Sequence, residues 1–272
     1  MALLEIQLYS EVLMKEVSLA VILPLPTITN MEYGDQVAYP DHHQKYQTLW
    51  LLHAATGDYT KCLRSSRIET YAREHQLAVV MPSLENSCGH NIPYYGDFFT
   101  FITEELPAKL GAVLPLSRKR EHNFVAGPSI GGYTAFMLAL RRPEQYAAAI
   151  SLAGGLDLKL AGTNKNTERW FTLIKQSLFG ENNEYYDPHI HDLEVIAQDL
   201  KESGKIQPRF YACCGEEDLY RHVGQGVIAS MQAMGFDVTY VMGHGRHDWD
   251  YWDSHLREAI EWLQLKIGRA HV

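Results

Sequence analysis

The chain has no surplus of positive charge, no membrane-length apolar run, few cysteines and no internal repeat. Its 272 residues carry 24 Lys and Arg against 33 Asp and Glu, a formal net charge of −9. A protein built to hold nucleic acid or an anionic membrane needs a basic face. The longest basic run, Arg118-Lys119-Arg120, is short enough to be a solvated loop, so neither is expected as a partner. No stretch approaches the roughly 18 apolar residues of a bilayer span, and Met1-Ala2-Leu3-Leu4-Glu5-Ile6 lacks the basic start and long apolar core of a signal peptide. The four cysteines, Cys62, Cys88, Cys213 and Cys214, show no C-x-x-C metal spacing, and the adjacent pair is poorly placed to bond to itself. A reduced, cytoplasmic compartment is the expectation.

What is present suits one well-packed α/β domain, with 46% of residues apolar. Alternation through Leu4, Ile6 and Leu8, followed by the apolar run from Val17 to Leu23, predicts two antiparallel strands. A polar stretch, 27–47, with His42-His43, reads as surface loop. Near-continuous apolar runs at 48–52, 77–81, 124–126, 147–152, 209–214 and 238–242 read as strands of a parallel sheet covered on both faces. Between them, helices are expected at about 62–74, at 98–110 with Pro107 bending or interrupting it, after residue 132, near 224–234 and from about 252 to 266. Residues 156–206 break the alternation and read as a cap-like insertion over one end of the sheet. The expectation is a single domain over 1–272, its mostly parallel sheet of about eight strands flanked by helices on both faces.

The stretch that organises the chain is Gly127-Pro128-Ser129-Ile130-Gly131-Gly132, set between an apolar strand and a run of good helix formers. A G-x-S-x-G turn in that context places its serine at a strained tip above the sheet edge. The flanking glycines carry no Cβ to collide with strand or helix. By itself the pattern also fits an ordinary glycine-rich turn. A nucleophilic serine further needs a base, and the base an acidic partner. After the strand ending at Cys214 comes Gly215-Glu216-Glu217-Asp218, and after the strand ending at Met242 comes Gly243-His244-Gly245-Arg246-His247. Parallel strands open both loops at the edge where the elbow lies. Asp218 and His247 are the first choices, with Glu216 or Glu217 as alternative acids and His244 as alternative base. One loop histidine is ordinarily solvated surface, but a serine, an acid and a histidine in this order after three strands form a pattern. Backbone N–H groups of Ile130 and of Ala55, in the loop His53-Ala54-Ala55, are the candidate oxyanion donors.

The chain resembles the tributyrin-esterase branch of the esterase D-like α/β-hydrolases, from the paired N-terminal strands to the C-terminal helix. The resemblance is carried by Val79-Val80-Met81-Pro82-Ser83, the run from Phe101 to Pro107, Gly127-Pro128-Ser129-Ile130-Gly131-Gly132-Tyr133, Cys214-Gly215 with Asp218, and His247-Asp248-Trp249-Asp250-Tyr251-Trp252. It implies an α/β-hydrolase fold, the triad Ser129, Asp218 and His247, and hydrolysis of short-chain carboxylic esters of small molecules. No metal or organic cofactor is expected. His53, Trp249 and Trp170 are the candidate pocket residues, and oligomeric state is left open. Two departures stand out: His53-Ala54 replaces the usual His-Gly, and Cys88-Gly89-His90 stands where relatives carry aromatic residues. Rival readings are a metallohydrolase using His189-x-His191 or His244-x-x-His247, a non-catalytic hydrolase-fold binding protein, and an S-formylglutathione hydrolase working with the same machinery.

Overall fold

A strand apolar at every position has to be covered on both faces, and the sheet is assembled so that such strands lie inside it. The computed structural model of the chain describes residues 1–26, 32, 45–160 and 168–265. Its strands are β1 (Ala2–Ser10), β2 (Lys15–Leu23), β3 (Thr48–Leu51), β4 (Ala78–Pro82), the short ribbon of β5 (Asn91–Ile92) and β6 (Gly96–Asp97), β7 (Asn123–Pro128), β8 (Ala148–Leu152), β9 (Arg209–Gly215) and β10 (Val238–Gly243). One eight-stranded sheet runs β1-β2-β4-β3-β7-β8-β9-β10. β1 pairs antiparallel with β2, and β2 with β4. Every other pair in this sheet is parallel, and the separate β5–β6 ribbon is antiparallel. Most of the expected 27–47 loop, His42 and His43 included, lies outside the described residues.

The helices are α1 (Lys61–Ser65), α2 (Ile68–Glu74), α3 (98–113), α4 (Ile130–Arg141), α5 (Glu168–Phe179), α6 (Pro188–His191), α7 (Leu193–Glu202), α8 (Arg221–Ala233) and α9 (Trp249–Trp262). Alternate residues of the central strands feed two cores. Leu49 and Leu51 pack with α1, α2 and α9, whereas Trp50 and Leu52 pack with α3, α4, α7 and α8. The 156–206 segment is more than a cap: Ile174, Leu178 and Phe179 of α5 and Ile196 and Leu200 of α7 enter the second of these cores. No described helix is long and apolar enough to cross a membrane.

Two helices differ from the sequence expectation. The segment expected as one helix over 62–74 is two, because Ser66 is extended (φ −134, ψ 172). Its break is held from outside: Asp253 of α9 accepts the Arg67 N–H at 2.8 Å and the Tyr71 hydroxyl at 3.0 Å. In α3, Pro107 does not interrupt the helix. The preceding residues Phe101–Glu105 widen into a π-helical stretch, and the Thr103 carbonyl, which a proline four residues on cannot bond, accepts from Gln145 Nε2 at 2.9 Å.

Cys88-Gly89-His90 faces inward, with Cys88 and His90 both buried. The Tyr133 hydroxyl of α4 donates to the His191 carbonyl at 2.8 Å and lies 2.9 Å from His90 Nε2. Having given its proton away, that hydroxyl accepts from His90, so Nε2 carries the hydrogen. Nδ1 is then a bare acceptor, buried with no hydrogen-bond partner among the described residues. The His191 ring lies 4.6 Å from the His90 ring. Burial first, and for His90 also the neighbouring His191, holds both rings below the ordinary imidazole value.

A histidine with a depressed folded value is native as the neutral ring, while the unfolded chain takes up a proton near pH 6.5. This part of the stability is therefore complete above that pH and is lost as pH falls below it. The melting temperature should be level above about pH 7.5 and decline below about pH 6.5. His90→Asn, which cannot be protonated, should weaken that decline in a pH series of thermal melts.

Candidate active site

The elbow forms because β7 and the first turn of α4 approach closer than side chains allow. A Cβ on Gly127 would lie 2.6 Å from the Gly131 carbonyl carbon, and one on Gly131 would lie 2.7 Å from the Leu52 carbonyl oxygen. Between the two glycines Ser129 adopts φ 54 and ψ −120, a conformation that costs a non-glycine residue about 1–3 kcal/mol. Hydrogen bonds hold it there. Ser129 N–H donates to Leu152 O of β8 at 2.9 Å, and Ser129 O accepts from Gly132 N at 2.9 Å.

β9 and β10 end level, Gly215 beside Gly243, so their loops start from one edge. His247 Nδ1 lies 2.8 Å from Asp218 Oδ2, and His247 Nε2 lies 3.0 Å from Ser129 Oγ. The carboxylate can only accept, which puts the proton on Nδ1 and leaves Nε2 to accept from the serine hydroxyl. The Asp218 side chain is fully buried, and its other oxygen accepts the Tyr220 N–H at 2.7 Å. Three residues spaced over 118 positions of chain thus form one hydrogen-bonded line.

The alternatives separate by position. His244 Nδ1 is exposed and lies 3.2 Å from Glu216 and 3.4 Å from Glu217, pointing outward. Gly245 N–H donates to Glu217 Oε2 at 2.6 Å, which fixes that carboxylate between the loops and, as the main cause, lowers its pKa. The pair His189-x-His191 of the rival metal reading is separated: His189 bonds Asp199 at the surface, while His191 is turned into the core.

The turn after β3 packs on α4, since the position a Gly131 side chain would occupy is bounded by Leu52 and His53 carbonyls. The turn thus abuts the helix start, where Ile130, the first residue of α4, has no intrahelical acceptor for its N–H. Ala54 is not among the residues with positive φ, so it does not need the glycine usual at that place; Thr56, at φ 60, makes the turn instead. Thr56 N–H donates to Asn86 Oδ1 at 2.9 Å.

His53 was expected to wall the pocket, but it is only 5% exposed and serves as a strut. Its Nε2 accepts the Leu84 N–H at 3.0 Å, which places the proton on Nδ1 for the Ala54 carbonyl at 2.8 Å. Burial lowers its pKa. Trp249 packs on Trp252 at 5.2 Å between ring centroids, and the Trp252 ring meets His247 at 4.9 Å. Trp170 is linked to His247 through two rings: it stacks on Phe171 at 4.0 Å, and Phe171 meets Tyr220, which meets His247. Tyr220 and Trp252 were missed as site residues. Each lies close in sequence to a triad candidate, Tyr220 two residues after Asp218 and Trp252 five after His247, the latter in the stretch that carries the family resemblance.

A family model described as "Putative esterase" matches residues 27–263. The chain belongs to this esterase family. Its members are esterase D-like α/β-hydrolases, and membership makes the protein a serine esterase by class. The acetyl esterase of Caldicellulosiruptor saccharolyticus is 28% identical over 271 residues, 97% of this chain and 98% of that one. Among solved structures, a fluorophosphonate-binding serine hydrolase of Staphylococcus aureus, with substrate bound, superposes at a TM-score of 0.83 with 27% identity, covering 96% of this esterase and 98% of its own chain. An S-formylglutathione hydrolase of Staphylococcus aureus gives 0.81 and 27% over the same shares.

A methyl group at Gly131 has backbone carbonyls on its path rather than a side chain that could move aside. Gly131→Ala should therefore destabilise the esterase by about 2–3 kcal/mol in urea unfolding and remove most of its activity. A variant as stable as the parent would contradict the packing described for the elbow.

Proposed function

We propose that the protein is a serine carboxylesterase that hydrolyses short-chain acyl esters, acetyl to butyryl, through Ser129, His247 and Asp218 and a covalent acyl-enzyme. The observation that carries this reading is the unbroken line from Ser129 Oγ to His247 Nε2 (3.0 Å) and from His247 Nδ1 to Asp218 Oδ2 (2.8 Å), with its serine on a strained elbow.

As Ser129 Oγ attacks the ester carbonyl carbon, His247 Nε2 takes the hydroxyl proton. The imidazolium is held by the buried Asp218 carboxylate, whose position is fixed by the Tyr220 N–H. The carbonyl oxygen becomes an oxyanion between the Ile130 and Ala55 N–H groups, each worth about 3 kcal/mol to the transition state in comparable sites. Collapse of the tetrahedral intermediate breaks the bond to the alcohol oxygen, which leaves with the proton from His247. Water then attacks the acyl-serine, giving its proton to His247. The second collapse returns that proton to Ser129 and frees the acid.

The acetyl end of this range is supported by the likeness, along 97% of the chain, to an acetyl esterase. A thioester reading on the same residues is favoured by the likeness to an S-formylglutathione hydrolase along 96% of this chain. Both use one acyl-enzyme chemistry and differ only in the group that leaves.

A panel of p-nitrophenyl esters of rising chain length, run with acetylated sugars and S-formylglutathione, tests the reading. Two- to four-carbon acyl groups should be preferred, and Ser129→Ala should lower kcat by on the order of 10⁶-fold. Retention of most activity by that variant, or an optimum at long chains, would overturn it.

A further inference from the structure

The His247 ring is gripped by more than its two hydrogen bonds. Tyr220 meets it at 4.7 Å between ring centroids and 65°, and Trp252 meets it at 4.9 Å and 89°. Both contacts lie in the distance and angle range where aromatic rings attract edge to face. Tyr220 comes from the Asp218 loop at the head of α8, Trp252 from the second turn of α9. Each is braced in turn. Tyr220 rests on Phe171 at 5.8 Å, and Trp252 rests on Trp249 at 5.2 Å.

Hydrogen bonds at Nδ1 and Nε2 fix the two nitrogens of the imidazole. They resist tilting of the ring about the line that joins those nitrogens only through their angular dependence, because that motion displaces neither nitrogen. A tilt turns the Nε2 lone pair away from the serine proton, and losses of that kind grow steeply with misplacement. Rings packed at 65° and 89° to the imidazole resist the motion sterically. The sheet brings them there as a by-product of where Asp218 and His247 are placed, since one follows the acid by two positions and the other follows the base by five.

We propose that Tyr220 and Trp252 are positioning residues that bracket the His247 imidazole and keep Nε2 aimed at Ser129 Oγ in both halves of the reaction. The proposal rests on His247 being the base, as argued above. One base serves acylation and deacylation, so a loosened ring slows the two steps together and leaves KM nearly unchanged.

The test compares Leu and Phe at each position, using p-nitrophenyl acetate under saturating and subsaturating conditions. Tyr220→Leu and Trp252→Leu should each lower kcat about ten- to a hundredfold, with KM within about twofold of the parent. Tyr220→Phe and Trp252→Phe restore a ring edge and should recover most of the lost rate. The second of these also removes an indole N–H that has no hydrogen-bond partner among the described residues, so it breaks no described hydrogen bond. The downfield proton resonance of His247 Nδ1–H, followed in the same variants, should broaden or vanish with Leu and return with Phe. Because Trp252 is buried and Tyr220 only half-buried, the Tyr220 pair decides the matter if Trp252→Leu does not fold. Folded Leu variants with parental kcat, a loss confined to KM, or Phe variants as slow as Leu would each overturn the bracket. An active Ser129→Ala enzyme would instead overturn the triad reading; an inactive one beside fully active Leu variants sinks the bracket alone.

Discussion

The site depends on one close approach, that of β7 and the start of α4 to the end of β3. Backbone meets backbone there, with Gly131 against the Leu52 and His53 carbonyls and Gly127 against Gly131. The same contact does two things. It forces Ser129 to φ 54, which lifts its hydroxyl off the sheet edge, and it lays the chain after β3 against the first turn of α4. A proposed nucleophile and its proposed oxyanion donors therefore come from a single packing event. The strain at Ser129 persists because Leu152 O and Gly132 N hold its backbone on both sides.

The parallel sheet supplies the remainder. β9 and β10 are in register at their ends, and the loops that follow are stitched together by Glu216 N–H to Gly243 O at 2.8 Å and Glu217 N–H to Gly245 O at 3.1 Å. The stitching decides which side chains face the serine. Glu216, Glu217 and His244 meet one another on the solvent side, while Asp218 and His247 fall inside. Two loops of nearly equal chemical content are thus sorted into an outer group of three and an inner pair.

Much of this could be read from the residues, because strands buried on both faces leave continuous apolar runs and a parallel order fixes where their loops open. The antiparallel start, the elbow and the order of acid and histidine follow from such local patterns. What could not be read depends on distant partners. Nothing near Ser66 announces that Asp253 will claim the Arg67 N–H and split the helix. Pro107 marks a disturbance in α3, but whether the chain kinks or widens depends on Gln145 reaching the Thr103 carbonyl. Trp249 and Trp252 lie three apart on one helix, both of the right chemistry, and the docking of α9 on α2 selects the second for His247. A histidine beside the oxyanion turn reads as pocket lining until its ring is seen to point down toward Leu84.

The histidines show why the sequence order was a better guide than residue type. A general base has to bear positive charge during the reaction, which requires a carboxylate close enough to hold that charge and a reacting hydroxyl on the other nitrogen. His53, His90 and His191 are buried against backbone groups or a tyrosine, and burial pushes all three toward the neutral ring. His189 and His244 have carboxylates, but in solvent, where the pairing is screened and no serine lies opposite. Of these six rings only His247 has a buried carboxylate on one nitrogen and a hydroxyl on the other, with 19% of its side chain still open to solvent for the exchange of substrate and water. A lone loop histidine could have had any of these environments; the succession of serine, acid and histidine at the ends of parallel strands is what narrows them to one.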